Sequence, residues 1–165
     1  MSRTLEAQKT GENRRFVVKK GVRIRQVACP RKSAMKFQAK LVSGKEGFVA
    51  LFHHTSADNY CFFHVGELGR KEIVSGFVYG GNEGGESKTI PTELGRWYDV
   101  LVKVRDVEYW CYLDGQELFH KVDKRFTKGL MGLATWDANV RFRDISVTTP
   151  EGKALWKGLP DLPSE

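Results

Sequence analysis

A chain of 165 residues, 41% hydrophobic and 28% charged, can form one domain with a buried core. No apolar run approaches the roughly 18 residues of a membrane span, and MSRTLEAQKTGENRR lacks the apolar stretch of a signal peptide. The net charge of +7 sits in the first quarter: up to Glu46 there are 13 Lys and Arg against Glu6, Glu12 and Glu46, and the rest carries 14 basic and 17 acidic residues. Such a skew invites an anionic partner; the alternative is a solvated tail with outward-facing strand side chains.

Residues 1–13 are polar and aperiodic and are expected to be a disordered arm, leaving 14–165 as a single domain. Phe16-Val17-Val18 opens a strand, and VRIRQV alternates Val22 and Ile24 with Arg23 and Arg25. Pro30 places 28–33 in a loop. In AMKFQAKL, the inward set is Met35, Phe37, Ala39 and Leu41, with Lys36, Gln38 and Lys40 outward. GFVALFHH and NYCFFHVG form a hairpin around 55–58. One face holds Phe48, Ala50, Phe52, Cys61, Phe63 and Val65; the other holds Val49, Leu51, His53, Tyr60, Phe62 and His64. Both faces being apolar, this hairpin belongs in mid-sheet with its second face covered or engaged. Ile73 to Tyr79 is a strand, GGNEGGE reads as a mobile rim loop, and Ser87 to Ile90 as a short edge strand.

The stretch from Trp97 to Leu113 carries the strongest pattern. Val100, Val102 and Val104 pair in antiparallel register with Leu113, Cys111 and Tyr109. The opposite face then sets Leu101 against Tyr112, Lys103 against Trp110 and Arg105 against Glu108. A slip of one residue would scramble both sets. Asp114-Gly115 is a turn, Glu117 to Val122 and Leu130 to Trp136 are strands, and VRFRDISV changes phase near Arg143-Asp144, as a bulge would produce. A brief strand around Leu155-Trp156 precedes an extended Pro-rich end. No segment has a helical period, so about a dozen short strands predict an all-β, two-sheet antiparallel sandwich.

These same segments resemble a known family. GFVALFHHTSADNYCFFHV, GRWYDVLVKV with YLDGQEL, and FTKGLMGLATWDANVRFRDISV are similar to the concanavalin A-like lectin/glucanase (laminin G-like) superfamily, nearest to 3-keto-disaccharide hydrolase-type domains of bacterial, planctomycete-like proteins. The ending VRFRDISVTTPEGKALWKGLPDLP is also similar to modules attached to larger proteins of that group. The resemblance covers about residues 35 to 160 and implies a concanavalin A-like jelly roll whose concave face, in many relatives, holds a glycan. Its motifs mark turns and core positions, so they speak to fold more than to chemistry.

The residues alone assemble no catalytic set. The one-strand Glu-x-Asp-x-Glu spacing that brings two carboxylates together for retaining glycoside hydrolysis does not occur. Asp106 and Glu108 flank a turn, and Glu83 and Glu86 lie in the glycine-rich stretch. Cys29, Cys61 and Cys111 have neither disulfide nor metal spacing; Cys61 and Cys111 fall on core faces. The histidines do not converge as zinc requires, so neither a metal nor a cofactor is expected.

Trp110 and Tyr112 sit opposite the core face, where large rings need a ligand, a partner or a cover such as Leu155-Trp156. With Lys103 and Arg105 they make an aromatic, basic surface suited to an oligo- or polysaccharide, an acidic one included. His53, Tyr60, His64 and Trp136 complete the candidate ligand set. The expectation is a glycan-binding module on its concave face. The alternatives are a glycoside-cleaving domain acting on a 3-keto-glycoside, or an interaction module of a larger polypeptide with no sugar site. Nucleic acid is an unlikely partner, since only the basic first quarter supports it.

Overall fold

The computed structural model describes residues 31–157 and, from the segment before them, the strands Leu5–Gln8 (β1), Arg15–Lys19 (β2) and Val27–Cys29 (β3). Arg23 and Arg25 and the Pro-rich end lie outside the described residues. The remaining strands are Lys32–Gly44 (β4), Phe48–Ser56 (β5), Asn59–Gly66 (β6), Glu72–Tyr79 (β7), Asn82–Thr89 (β8), Trp97–Arg105 (β9), Glu108–Leu113 (β10), Gln116–Val122 (β11), Gly129–Thr135 (β12), Ala138–Thr148 (β13) and Ala154–Lys157 (β14). All pair antiparallel, in two sheets. One sheet runs β1-β2-β13-β4-β9-β10-β11 with β14 on β13; the other runs β3-β12-β5-β6-β7-β8. The four residues Glu67–Arg70 form a tight turn with Leu68 and Gly69 outside helical geometry.

Alternation in the sequence determines what each sheet buries. The first sheet turns Met35, Phe37, Ala39 and Leu41, Val100, Val102 and Val104, and Val140 and Phe142 toward the second; that sheet answers with Phe48, Ala50, Phe52, Cys61, Phe63 and Val65. Phe37, Phe48 and Phe142 meet edge to face, at centroid distances of 6.0, 5.8 and 6.3 Å. A smaller cluster of Leu51, Phe62 and Val78 buries the opposite face of the second sheet. There the Phe62 ring lies over Gly76, so closely that a Cβ at Gly76 would come within 2.3 Å of it.

The β9–β10 register is the one the alternation predicts, with Lys103 across from Trp110 and Val102 across from Cys111. The phase change in β13 is a bulge between Arg143 and Ser146, with Asp144 at φ 53°. Several expectations need correction: of residues 28–33, read as a loop, 28–29 end β3 and 32–33 open β4. Leu5–Gln8, read as part of a disordered arm, is a strand on β2. GGNEGGE is mostly strand β8: Gly84 leaves room for the Phe77 ring and Gly85 for the Ser75 carbonyl, so these glycines serve close packing rather than a loop. His53 does not share a face with His64. It takes φ 48° at a bulge in β5, which turns it inward and leaves His54 beside Tyr60. Finally, Leu155 and Trp156 pack on the main core from β14, separated from β10 by three strands in the pairing order, and do not cover Trp110.

Candidate functional site

The outer face of the first sheet carries rows of cations and rings set by strand register. Arg141, Lys40 and Trp97 lie across β13, β4 and β9; the next row is Arg143, Gln38 and Asp99. Lys36, Leu101 and Tyr112 follow, then Ala34, Lys103, Trp110 and His120, then Lys32, Arg105 and Glu108. Alternate positions on neighbouring strands share a face, so four of the sequence-derived candidates, Lys103, Arg105, Trp110 and Tyr112, are brought together here. Lys36 and Lys40 belong to the same face.

Contacts within this face are polar and cationic. Lys103 Nζ lies 5.2 Å from the Tyr112 ring centre and the Arg105 guanidinium 5.3 Å from that of Trp110. Trp110 stacks on His120 at 4.7 Å with planes 19° apart. Glu108 accepts from Arg105 (2.9 Å) and pairs with His120 Nε2 (2.6 Å). Those two bonds hold its carboxyl below the usual range. Asp99 accepts from Gln38 (2.7 Å), which in turn accepts from Arg143 Nε (2.6 Å). Glu117, across from Tyr112 on β11, accepts from the Tyr112 hydroxyl (3.3 Å), so these three carboxylates of the face are engaged. Among the described residues, no carboxylate pairs with Lys36, Lys40, Lys103 or Arg141. The surface is net positive, with half-exposed rings between the charges.

The other four candidates lie elsewhere. His53 is buried, stacked on Phe126 (6.3 Å, 9°) and edge-on to Tyr109 (6.4 Å). Burial lowers its pKa against the pull of the Asp106 backbone and the Asp123 carboxylate. Tyr60 stacks on His54 at 5.4 Å on the outer side of the second sheet. His64 is on that side too, buried between Glu46 and Glu67. Trp136 is exposed in the turn between β12 and β13. The sequence reading also missed Trp97, which carries Arg143 at 3.7 Å, and Arg125, which lies 3.9 Å from the Phe77 ring and is held by Asp123 through bonds of 2.9 and 2.7 Å. Lys40 opposite Trp97 was the available signal for the first. Among the described residues, no group of three or more His, Cys, Asp or Glu is arranged to hold a metal ion.

No family model matches the chain. The carbohydrate-binding module CBM66 from Bacillus subtilis superposes with a TM-score of 0.67 over 88% of this chain and 91% of that one, at 13% identity. A toad ovary galectin in complex with thio-digalactose superposes with a TM-score of 0.63 over 79% and 99%, at 14% identity. At such identities the likeness is one of fold: the chain is a two-sheet jelly-roll sandwich of the kind these proteins share. In sequence, 97 residues, 58% of this chain, are 35% identical to an extracellular exo-α-L-arabinofuranosidase of Streptomyces chartreusis, and the match spans 12% of that protein's length.

Proposed function

We propose that this chain is a glycan-binding module whose ligand lies along the outer face of the β13-β4-β9-β10-β11 sheet. The observation that carries the reading is the interleaving of Trp97, Trp110 and Tyr112 with Lys36, Lys40, Lys103 and Arg105 on one open surface. Sugar rings offer apolar C–H faces to aromatic side chains, while ammonium and guanidinium groups take hydroxyl, carboxylate or sulfate oxygens. An acidic saccharide therefore suits the surface better than a neutral one. Support for a sugar ligand comes from the jelly-roll neighbours, one named as a carbohydrate-binding module and one complexed with thio-digalactose, and from the stretch shared with an arabinofuranosidase.

Binding is favoured over cleavage because Asp99, Glu108 and Glu117 are committed to Gln38, to Arg105 and His120, and to Tyr112. Retaining or inverting glycoside hydrolysis would need a carboxylate pair free to act on this face.

The test is calorimetric titration with a trigalacturonate and with arabinotriose, an acidic and a neutral trisaccharide. The trigalacturonate should bind the sheet face, its affinity falling as salt rises. Trp110→Ala should cost about 1–3 kcal/mol of that binding through lost ring burial, with the fold intact. Unfolding on substitution would make Trp110 structural, and an acidic sugar that fails to bind at millimolar concentration would remove the reading.

A further inference from the structure

The cations of the sheet face form a band that follows β4. Where β4 pairs with β9, its outward positions are Lys32, Ala34, Lys36, Gln38 and Lys40, with no carboxylate among them. Arg141 lies level with Lys40, Arg143 with Gln38, Lys103 with Ala34 and Arg105 with Lys32. Each of these five rows therefore holds at least one cation. At a rise of about 3.4 Å per residue, successive rows are about 7 Å apart and the band is about 27 Å long. Lys32, Lys36, Lys103 and Arg105 are exposed, and Lys40 and Arg141 are half-buried.

The carboxylates set a direction on this band. Across the strands, three of the five rows run into one: Asp99 on β9 beside Gln38, Glu117 on β11 in the row of Lys36, and Glu108 on β10 in the row of Lys32. An anionic chain laid across the sheet would approach them and be repelled. Laid along β4, it meets a cation in every row and keeps all three carboxylates to one side. Trp97 and Trp110 stand on that side three rows apart, about 20 Å, so one short sugar cannot touch both. The two ends of the band are open to solvent: Val42, next outward past Lys40, is 40% exposed, and Lys32 is exposed. A chain terminus is recognised by groups that close around it, and an open track instead lets a polymer continue past both ends.

We propose that this face binds an internal stretch of a linear, repeatedly anionic glycan, longer than a trisaccharide and lying along β4 parallel to the strands. The ligand class rests on the glycan-binding reading above, to which the strand register adds direction, length and repeating charge. An extended trisaccharide covers about half of the band and fills the part around Lys103, Trp110 and Tyr112. A hexasaccharide reaches Lys36, Lys40 and Arg141 as well. Because each cation engaged releases counterions from a polyanion, salt weakens the longer ligand more steeply.

The experiment is calorimetric titration of the wild-type chain and Lys40→Gln at two salt concentrations with three probes. These are the trigalacturonate, a hexagalacturonate, and a hexagalacturonate altered at both ends, unsaturated at one and reduced to the alditol at the other. The hexamer should bind wild type at least tenfold more tightly than the trimer, beyond the about fourfold that its overlapping trimer frames supply by counting alone. Its affinity should fall more steeply with salt, and the end-altered hexamer should bind within twofold of it. Lys40→Gln should shrink the hexamer's advantage at least threefold. An advantage below tenfold, one that Lys40→Gln leaves intact, or a tenfold loss on altering the ends overturns the proposal, while trimer binding keeps the glycan-binding reading. Failure of trimer and hexamer alike removes both. A hexadeoxythymidylate that binds more tightly than the hexagalacturonate would make the polyanion a nucleic acid and overturn the proposal as well.

Discussion

The guanidinium carbon of Arg143 lies 3.7 Å from the centre of the Trp97 ring, although β13 and β9 are separated by β4. Gln38 makes the approach possible, accepting from Arg143 Nε and donating to Asp99 beside Trp97. Lys40 stands 5.1 Å from the same ring. One face of Trp97 is therefore already occupied by protein, and a ligand meets its edge and its cations rather than a bare platform. A partly desolvated contact of this kind contributes about 1 kcal/mol. Arg143→Ala should lower urea stability by about that amount and shift Trp97 emission to the red, read against Trp97→Phe. Arg143→Lys should recover the charge without the planar contact. Unchanged emission in Arg143→Ala would show that the stacked geometry does not persist in solution.

Cys61 and Cys111 face each other's layer from opposite sheets, both fully buried. Burial pushes both thiols well above their ordinary range, with Ser75 offering Cys111 a modest opposing hydrogen bond. Since the thiolate is the reactive form, neither should react with a maleimide in the native chain at pH 7.5, and both should react on unfolding. Mass spectrometry of the labelled peptides distinguishes them from Cys29. Native labelling at Cys111 would mean that the β9–β10 register is wrong.

The legible parts of the fold are those in which two patterns must agree. From Trp97 to Leu113, an apolar set and a polar-aromatic set are separately consistent with one register, and that register is found. What the sequence hides are one-residue irregularities and contacts that turns create. Nothing in GFVALFHH shows that β5 bulges at His53, yet that bulge decides which histidine faces out. GGNEGGE gives no sign that Gly84 accommodates a ring from β7. Glu46, His64 and Glu67 belong to two turns and a strand, and only the folded chain brings them together. The aromatic-basic face was readable because strand alternation alone builds it; the meeting of Glu46, His64 and Glu67 was not, because turns bring it about.

His64 should make stability fall in mild acid. Burial pushes its imidazole down from 6.5 to about 4, so the neutral ring is what the folded state holds. Its contribution is complete above pH 6.5 and is lost as pH falls toward 4, because the unfolded chain takes up the proton first. The full difference corresponds to about 3 kcal/mol. Two carboxylates 3.7 Å away reduce this by favouring the imidazolium. Glu46 and Glu67, raised by burial first and by neighbouring carboxylates second, act with the opposite sign, since the folded state protonates them earlier. Val49 and Val74, which flank His64 on the neighbouring strands, bring no charge. The net expectation is a loss of about 1–2 kcal/mol between pH 7 and pH 4.5 that His64→Gln abolishes. Urea midpoints at the two pH values measure it, and parallel falls in both proteins would refute the assignment.

Gly129 is where the bulge in β5 is locked by its neighbour. It opens β12 at φ +153°, and a Cβ there would lie 2.3 Å from the His53 carbonyl carbon and 2.4 Å from His54 N. Both are backbone atoms, so no side chain can turn away to make room. The pairing shows the same fit: β12 and β5 change register between Leu130 and Gly132, and β5 and β6 between Phe52 and Ser56, on either side of His53. The bulge also aims the His53 ring onto Phe126 and Tyr109. Gly129→Ala must therefore displace the β12 end or flatten the bulge, and should cost about 3 kcal/mol, the upper part of the range for overpacking a filled site. His53→Asn, which tolerates the left-handed conformation, should keep the bulge and lose only the ring contacts, at about 1–2 kcal/mol. Neither change touches the rows of Lys103, Arg105, Trp110 and Tyr112 on the other sheet, so trigalacturonate affinity should stay within twofold of wild type in whatever fraction remains folded. Urea melts and titrations on the same samples supply both readouts. A Gly129→Ala protein within 0.5 kcal/mol of wild type would mean that the two strands do not meet at His53 as described.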